Sequence, residues 1–224
     1  MEWDKKLKQC LSTRDVLGSM ILLESMQDIN LLGISGYAPI HIVVKADSLP
    51  LTQELISRGA RTTVMCSEKR RTPLHYVCAA SGRKADIPML LIQHGADVSA
   101  RDAAQFTPLQ LASAYGNLEI VKLLLEFGAK PNASMDNINK YTPLMHAVCT
   151  GMYSVVETLL DAGARVDVVN SSGVTAIHLA AKTGRVDMIN LLIAAGADPM
   201  VVDEDGLYPH DYACTENVYD ALTG

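Results

Sequence analysis

Residues 107–130 read TPLQLASAYGNLEIVKLLLEFGAK, and this stretch decides the fold because variants of it recur before and after it. Thr107 can cap the first turn of a helix, and Pro108 loses no hydrogen bond at the first helical position. Gly116 ends that helix, and Gly128 ends a second one. The second helix has an apolar face formed by Ile120, Val121, Leu124 and Leu125. Two helices this short cannot bury both apolar faces alone, so the unit needs stacked neighbours.

The composition is that of a folded, helical protein. Of the 224 residues, 49% are hydrophobic and 20% are charged, while aromatic residues make up only 5%. Few aromatic residues with abundant Ala and Leu favour closely packed helices over a sheet sandwich. The sequence therefore predicts an all-α fold.

Charge and cysteine usage exclude several classes of protein. The formal net charge of −6 argues against a nucleic-acid binder, because neutralising phosphates needs a basic surface. The five cysteines are scattered and form no CxxC pair, so neither a disulfide framework nor a zinc site is predicted. No apolar run approaches the roughly 18 residues of a membrane span. We expect a cytosolic protein, with the nucleus as the other compartment, that is monomeric in isolation and uses no cofactor.

The opening tetrapeptide of this unit returns along the whole chain. Similar openings begin at residues 38, 72, 107, 142, 175 and 208, which gives spacings of 34, 35, 35, 33 and 33 residues. A Gly-Ala pair follows each of the first five openings by 21 residues, except after residue 72, where the interval is 23. A period near 33 with a Thr-Pro-Leu-His opening and a Gly-Ala-Asp end resembles the ankyrin-repeat family from end to end of this chain.

The resemblance implies an ankyrin-repeat solenoid of stacked helix-turn-helix units with hairpin-like loops, in which loop tips and first helices form a concave face. We interpret the chain as a single domain (1–224) with an N-terminal helical capping repeat, five repeats and a degenerate C-terminal capping repeat. Their bounds are 1–32, 33–66, 67–101, 102–136, 137–169, 170–202 and 203–224. The last of these reads equally well as the cut end of a longer protein.

Three departures from the regular repeat carry expectations of their own. The N-terminal cap should expose a polar flank carrying Lys5, Lys6, Lys8 and Arg14, with Asp15 or Thr13 capping its second helix. The turn 79–86 is two residues longer than usual, and Asp86 is predicted to cap the helix that follows. The loop 132–141 is also two residues longer than the period.

The titratable residues form no catalytic motif. The resemblance implies that His41, His75 and His178, at the fourth position of their openings, bridge backbone groups of adjacent loops. The acidic run 203–205 lacks the later Glu of a calcium loop, so we expect a solvated loop tip. No phosphate-binding glycine loop or nucleophile elbow is present, and the chain is predicted not to be an enzyme.

Recognition residues in ankyrin proteins lie just before the opening and near the end of the first helix. Carried over by position, these places hold Phe106, Tyr115 and Tyr141 in the middle repeats, with Tyr37 further along the same line. We expect them to form a binding patch, because aromatic residues are typical anchors; the alternative is that each ring only packs on its own repeat. The other predicted partner-binding residues are Lys69, Arg70, Arg71, Arg101, Cys149 and Lys182.

The charge pattern predicts the kind of partner. A basic loop tip at 68–71 and an acidic tip at 203–205 lie in units that are separated by three repeats, 102–136, 137–169 and 170–202, so the array should be electrically polar along its length. A segment that is acidic at one end, apolar in the middle and basic at the other would match it.

One asparagine is a candidate modification site. Asn132 follows Gly128 and Ala129 at the position where ankyrin repeats resemble substrates of the oxygen-sensing asparagine hydroxylase, and Leu124 lies eight residues upstream. The competing interpretation is a turn Asn that caps its own loop.

These features predict a non-catalytic module that binds a protein or peptide on its concave face. One alternative is the regulatory or substrate-recruiting ankyrin portion of a larger enzyme or adaptor, such as a ubiquitin-ligase receptor. Another is a free-standing regulator similar to the ankyrin proteasome chaperones or to inhibitors of kinases or transcription factors. The fold alone does not choose between them.

Overall fold

The computed structural model describes residues 2–133 and 140–223, and within them every regular element is helical. The helices are α1 (Trp3–Ser12), α2 (Val16–Glu24), α3 (Pro39–Lys45), α4 (Leu49–Ser57), α5 (Pro73–Cys78), α6 (Asp86–Gln93), α7 (Pro108–Ala114), α8 (Leu118–Glu126), α9 (Pro143–Thr150), α10 (Tyr153–Asp161), α11 (Ala176–Lys182), α12 (Val186–Ala194) and α13 (Glu216–Thr223). A 3₁₀ turn, Pro209–Tyr212, precedes α13. The predicted all-α class is confirmed, and the helices follow one another in pairs.

The chain divides into two compact units, Met1–Pro108 and Leu109–Gly224. In the first unit, α3 packs on α4 and α5, and α5 packs on α6. In the second unit, α9 packs on α10 and α11, and α11 packs on α12. Each unit buries its own row of aliphatic side chains, such as Leu51, Leu55, Leu74 and Leu91 in the first and Ile120, Leu124, Leu159 and Ile189 in the second. Each of these side chains stabilises the stack by about 2 kcal/mol.

The first helix of a pair begins where the opening tetrapeptide predicts. Proline occupies the first position of α3, α5, α7 and α9, where its fixed φ suits the helix and its missing N–H costs nothing. In α9 the Thr142 hydroxyl accepts a hydrogen bond from the Met145 N–H at 3.2 Å, which satisfies one of the free donors of the first turn.

The Gly-Ala pairs end the second helices. Gly128 has a φ of +85°, and the Ala129 N–H then returns to the Leu124 carbonyl at 2.9 Å. This is the bond that closes a helix after a left-handed glycine. The alanine of the pair is buried, so the chain leaves each helix already packed against the core.

The N-terminal helix pair differs from the expected polar cap. Lys5, Lys6, Lys8 and Arg14 are exposed as predicted, and Asp15 caps α2 by accepting from the Gly18 N–H at 2.8 Å. The outer side of α2, however, is apolar, because Leu17 and Ile21 are 70% and 58% exposed. The expectation of a wholly polar flank is wrong: α2 is apolar nearly all round and only one side of it packs.

The predicted cap of α6 is also wrong. The helix begins at Asp86 itself, and Ala85 occupies the capping position without a side-chain hydrogen bond. Asp86 lies instead in the first turn, where its negative charge is favourable to the positive end of the helix dipole. Pro88 lies in the same turn and is buried.

Candidate functional site

Main-chain hydrogen bonds connect neighbouring loops within each unit. In the first unit, the Ser67 N–H donates to the Gly36 carbonyl at 3.0 Å, and the Ala103 N–H donates to the Lys69 carbonyl at 2.8 Å. In the second unit, the Glu204 N–H donates to the Ser172 carbonyl at 3.1 Å. Because these bonds use only backbone atoms, they do not involve the side chains at the loop tips.

The three histidines bridge loops as the resemblance implied. His41 is fully buried, its Nδ1 accepts from the Ala38 N–H, and its Nε2 donates to the Val64 and Arg71 carbonyls at 3.1 and 3.0 Å. Burial lowers the pKa of His41 to about 4, since the charged imidazole is poorly solvated there. A neutral ring that accepts at one nitrogen and donates at the other is therefore the form that the fold requires.

His75 and His178 repeat this arrangement. Their Nδ1 atoms accept from the N–H groups of Thr72 and Thr175, and their Nε2 atoms donate to the next loop. Burial lowers the pKa of both imidazoles. In the second unit Gln110 takes the same place, and its amide donates to the Ala133 and Tyr141 carbonyls at 3.2 and 2.8 Å.

A carboxylate or amide side chain organises each of three loops, and the sequence analysis missed it. Asp102 accepts from the N–H groups of Ala104 and Phe106, and Asn170 accepts from those of Ser172 and Val174. Both residues stand five positions before an opening, and Asp203 does so as well. That recurring Asp or Asn was a signal within the sequence.

The acidic run at 203–205 is only partly a solvated loop tip. Asp203 is 7% exposed, and it accepts from the Asp205 and Leu207 N–H groups at 3.0 Å and from the Tyr212 hydroxyl at 2.5 Å. The Tyr212 hydroxyl and these backbone donors hold the pKa of Asp203 below its ordinary value. Glu204 and Asp205 are exposed as predicted, so the carboxylate of Asp203 is a structural group and the other two face solvent.

The basic loop tip also divides into structural and exposed members. Lys69 and Arg70 are exposed, whereas Arg71 forms an ion pair with the buried Asp102, with Nε and Oδ2 2.8 Å apart. Arg101 is half-buried, and its guanidinium donates to the Gln105 carbonyl at 3.3 Å. The guanidinium of Arg71 is thus held by its own fold before any partner arrives, and its role in partner binding stays a prediction.

The first unit brings Tyr37 into a cluster that the sequence analysis did not foresee. Tyr37 lies edge-on to Tyr76 with ring centroids 5.7 Å apart, and the two hydroxyls are 3.4 Å apart. The Lys45 ammonium lies 4.7 Å from the Tyr37 ring centre and 5.1 Å from that of Tyr76, and the Lys8 ammonium lies 5.2 Å from Tyr37. We call Tyr37, Tyr76, Lys45 and Lys8 the tyrosine–lysine cluster.

Phe106 is the other predicted aromatic of the first unit. Its side chain is half-buried, while its carbonyl accepts from His75 Nε2 at 3.0 Å and its N–H donates to Asp102. The backbone of Phe106 is thus fixed at both polar atoms, which fixes the point from which the side chain projects.

In the second unit, the structure brings together three of the predicted residues. Tyr141 stacks obliquely on His146, with ring centroids 5.4 Å apart. Burial raises the pKa of Tyr141, and the neighbouring thiol of Cys149 raises it further by a smaller amount. Burial likewise raises the pKa of Cys149, although the neighbouring Lys182 opposes it. A raised pKa keeps Cys149 as a thiol and disfavours a reactive thiolate. Tyr115 is 44% exposed.

The side-chain amide of Asn132 connects two loops through two hydrogen bonds. Its amide N–H donates to the Gly163 carbonyl at 2.9 Å, and its amide oxygen accepts from the Arg165 N–H at 2.8 Å. Asn30 makes the same pair of bonds, with Gly59 and Arg61. Hydroxylation of Asn132 stays a prediction, while the structural role of its amide is plain.

The residue two positions before each opening has a left-handed backbone. Glycine occupies this place at Gly36, Gly173 and Gly206, but the central openings have non-glycine residues there: Arg70 (φ 48°), Gln105 (φ 67°) and Lys140 (φ 47°). Long side chains at positive φ cost about 1 kcal/mol or more each. The three central loop tips therefore keep long polar side chains where glycine would be more stable.

Charge differs strongly between the two units. Residues 1–108 contain 13 Lys and Arg against 11 Asp and Glu, whereas residues 109–224 contain 6 against 14. The formal charges are +2 and −8, which sum to the −6 of the whole chain. In the part of the chain that the structure describes, no group of three His, Cys, Asp or Glu is arranged to hold a metal, and no helix is long and apolar enough to cross a membrane.

Comparison with known proteins identifies the class. The family model for ankyrin repeats matches in three copies, over residues 40–135, 109–203 and 144–222. These matches cover well over half of the chain, so it belongs to the ankyrin-repeat family. The ankyrin repeat domain is a protein-interaction module and is generally not catalytic.

Particular relatives add detail. The ankyrin repeat domain of Bcl-3, a member of the IkappaB protein family, has a TM-score of 0.81 and 26% identity, covering 97% of both chains. The human ASB11 ankyrin repeat domain has a TM-score of 0.85 at 23% identity, covering 97% of this chain and 96% of that one.

Two longer proteins match in sequence. The nuclear factor NF-kappa-B p105 subunit of Gallus gallus is 25% identical over 231 residues, or 91% of this chain and 23% of that protein. The ankyrin repeat protein nuc-2 of Neurospora crassa is 33% identical over 233 residues, or 98% of this chain and 21% of that protein. The chain thus spans less than a quarter of the length of these relatives.

Proposed function

We propose that this chain binds a protein or peptide partner without catalysing a reaction, through its loop tips and first helices, the side that is concave in the ankyrin family. The observation that carries the proposal is the left-handed backbone at Arg70, Gln105 and Lys140. Strain that stability alone would remove is typical of positions retained for function. The tyrosine–lysine cluster and the Tyr141–Cys149–Lys182 group supply the aromatic and cationic contacts that recognition surfaces use.

A substitution at Arg70 separates stability from binding. Arg70→Gly should leave the free energy of unfolding unchanged or raise it by up to about 1 kcal/mol, because glycine relieves the strain at positive φ. The same change should weaken partner binding by about tenfold at low salt, with the loss largely in the association rate. Urea unfolding and surface plasmon resonance measure the two effects. Gly206→Ala, at the equivalent left-handed place in the last loop, is the opposite control and should lower stability. If the Arg70→Gly variant is stabilised and binds as well as wild type, the strained backbone at Arg70 is not retained for partner binding.

Aromatic anchoring has its own test. Phe106→Ala combined with Tyr141→Ala should reduce capture of the native partner from cell extract by more than tenfold, since aromatic anchors dominate binding energy. The backbone bonds of Phe106 survive the change, so circular dichroism should show a folded protein. Tyr153→Ala, which removes an exposed tyrosine from the start of the second helix α10, is the matched control. Equal capture by the double variant and wild type would contradict the aromatic patch.

A second candidate function is that of an ankyrin portion within a larger regulatory protein. The observation that favours it is the coverage of p105 and nuc-2, of which this chain matches only 23% and 21%. Likeness to Bcl-3, a member of the IkappaB protein family, favours a regulator of the IkappaB kind, and likeness to the nuclear factor p105 subunit favours a nuclear as well as a cytosolic location. Immunoblotting of the native tissue with an antibody against this chain would decide the matter, because a band far above 24.2 kDa supports the larger protein.

A further inference from the structure

We propose that the first unit binds the carboxylates of an acidic peptide at the tyrosine–lysine cluster, with Lys45 as the principal contact and Lys8 beside it. The inference rests on the proposed function, because it names the chemistry of the partner that the loop and first-helix side would recognise. It assigns a specific role to Lys45, Lys8 and Tyr76, and it names the chemical group that each would meet.

The first argument is that Lys45 is already in place. Its ammonium lies 4.7 and 5.1 Å from the ring centres of Tyr37 and Tyr76, within the range of a cation–π contact. A lysine normally loses up to about 2 kcal/mol of rotamer entropy when it is immobilised. Because the two rings already restrain this side chain, binding of an anion would cause a smaller further loss of rotamer entropy. Lys45 is nevertheless exposed, so its ammonium is accessible.

The second argument is the distribution of charges around the cluster. Arg71 is paired with Asp102, and Arg83 is paired with Asp47 at 2.6 Å while also donating to the Lys45 carbonyl. Among the described residues, Lys45 has no carboxylate within ion-pair distance.

Lys8 is the more restrained of the two ammonium groups. It donates to the Ser35 hydroxyl at 2.9 Å, and Asp4, which accepts from the Ser35 N–H, lies close enough to Lys8 for their charges to interact. Lys8 therefore makes the smaller contribution to attracting an anion, because Asp4 partly offsets its charge, and Lys45 supplies the uncompensated positive charge.

The third argument selects a carboxylate over a phosphate. Phosphate groups are commonly held by arginine in a two-pronged bond, but both guanidinium groups close to Lys45, those of Arg71 and Arg83, are already paired. Lysine acts as a point charge that suits a single carboxylate. The tyrosine rings offer apolar area for the residue next to the acid. The second unit, at −8, repels such a segment, which confines the expected binding to the first unit.

The test uses the full chain and short fluorescein-labelled peptides. One peptide has a central run of Glu beside a Leu, the second replaces each Glu with Gln, and the third replaces the Glu run with phosphoserine. Fluorescence anisotropy should show that only the Glu peptide binds well at low salt. Lys45→Ala should weaken its binding about tenfold, which corresponds to 1.4 kcal/mol, and Lys45→Arg should restore most of it. Lys122→Ala, an exposed lysine of α8 in the second unit, should change the affinity less than twofold.

Each other outcome counts against the inference. Equal binding of the Gln peptide, or no binding of the Glu peptide at low salt, overturns it, and so does a Lys45→Ala affinity equal to that of Lys122→Ala. Phosphoserine binding that equals or exceeds Glu binding overturns the choice of a carboxylate. Capture from native extract distinguishes the two proposals. A partner that wild type and Lys45→Ala hold equally well, and that Arg70→Gly loses, leaves the proposed function standing while this inference fails. Capture of no partner by wild type contradicts the proposed function itself.

Discussion

Replacing Asp102 with alanine should lower the free energy of unfolding by about 3–5 kcal/mol, because it leaves the half-buried Arg71 without its counter-ion. The carboxylate also accepts from the N–H groups of Ala104 and Phe106, and those donors would lose their partner as well. Urea unfolding followed by circular dichroism measures the loss. A decrease below about 1 kcal/mol would show that the ion pair and the loop bonds contribute little.

The chain offers a matched control at the same loop position. Asn170 performs the backbone part of the role of Asp102 without a charge, by accepting from Ser172 and Val174. Asp102→Asn should therefore keep the loop bonds, lose the attraction to Arg71, and cost less than half of the alanine change. Asp102→Ala should also weaken partner binding through Phe106, since the loop that fixes this ring would loosen.

The second large effect concerns His41. His41→Ala should cost about 2–4 kcal/mol in the free energy of unfolding, because it removes the bonds to the Ala38 N–H and to two carbonyls and leaves a cavity. His41→Gln should cost much less, since Gln110 already bridges the equivalent carbonyls of Ala133 and Tyr141. A glutamine variant as unstable as the alanine variant would show that ring packing, rather than hydrogen bonding, decides the stability.

Acid should destabilise the protein through the same residue. Burial lowers the pKa of His41 to about 4 in the folded state, against about 6.5 when unfolded. Between these values the unfolded chain binds the extra proton, so stability is full above pH 6.5 and falls as the pH drops towards 4. His41 should account for a loss on the order of 3 kcal/mol in the free energy of unfolding across this pH range. Urea unfolding at several pH values should show a smaller acid loss for His41→Gln than for wild type, and identical slopes would contradict the assignment.

The fold was largely predictable, since it depends on residues at fixed spacing. The period of the openings and Gly-Ala pairs predicted the helix pairs, because proline starts and glycine ends them at defined positions. The two errors, one at the start of α6 and one on the exposed side of α2, have local causes. The capping of α6 shifted by one residue onto Ala85, and α2 follows its apolar composition rather than the polar surface expected of a terminal repeat.

The candidate site was less predictable, because its contacts join residues far apart in sequence. Arg71 and Asp102 are separated by 31 residues, and nothing local to Arg71 indicates that it is paired. Tyr76 follows a bridging histidine within a first helix and therefore looks like a packing residue, yet its hydroxyl faces Tyr37, 39 residues away. The charge of Lys45 was visible in the sequence, but its place between two rings was not.

The loops are joined through main-chain atoms, as in the bonds from Ser67 to Gly36 and from Ala103 to Lys69. Those atoms are the same whatever side chain stands at a tip. Mutational drift at exposed positions such as Lys69 and Arg70 can therefore change the side chains that face solvent while the stacking bonds persist. An ankyrin array built in this way can acquire a new specificity by a few surface substitutions, without passing through an unfolded ancestor.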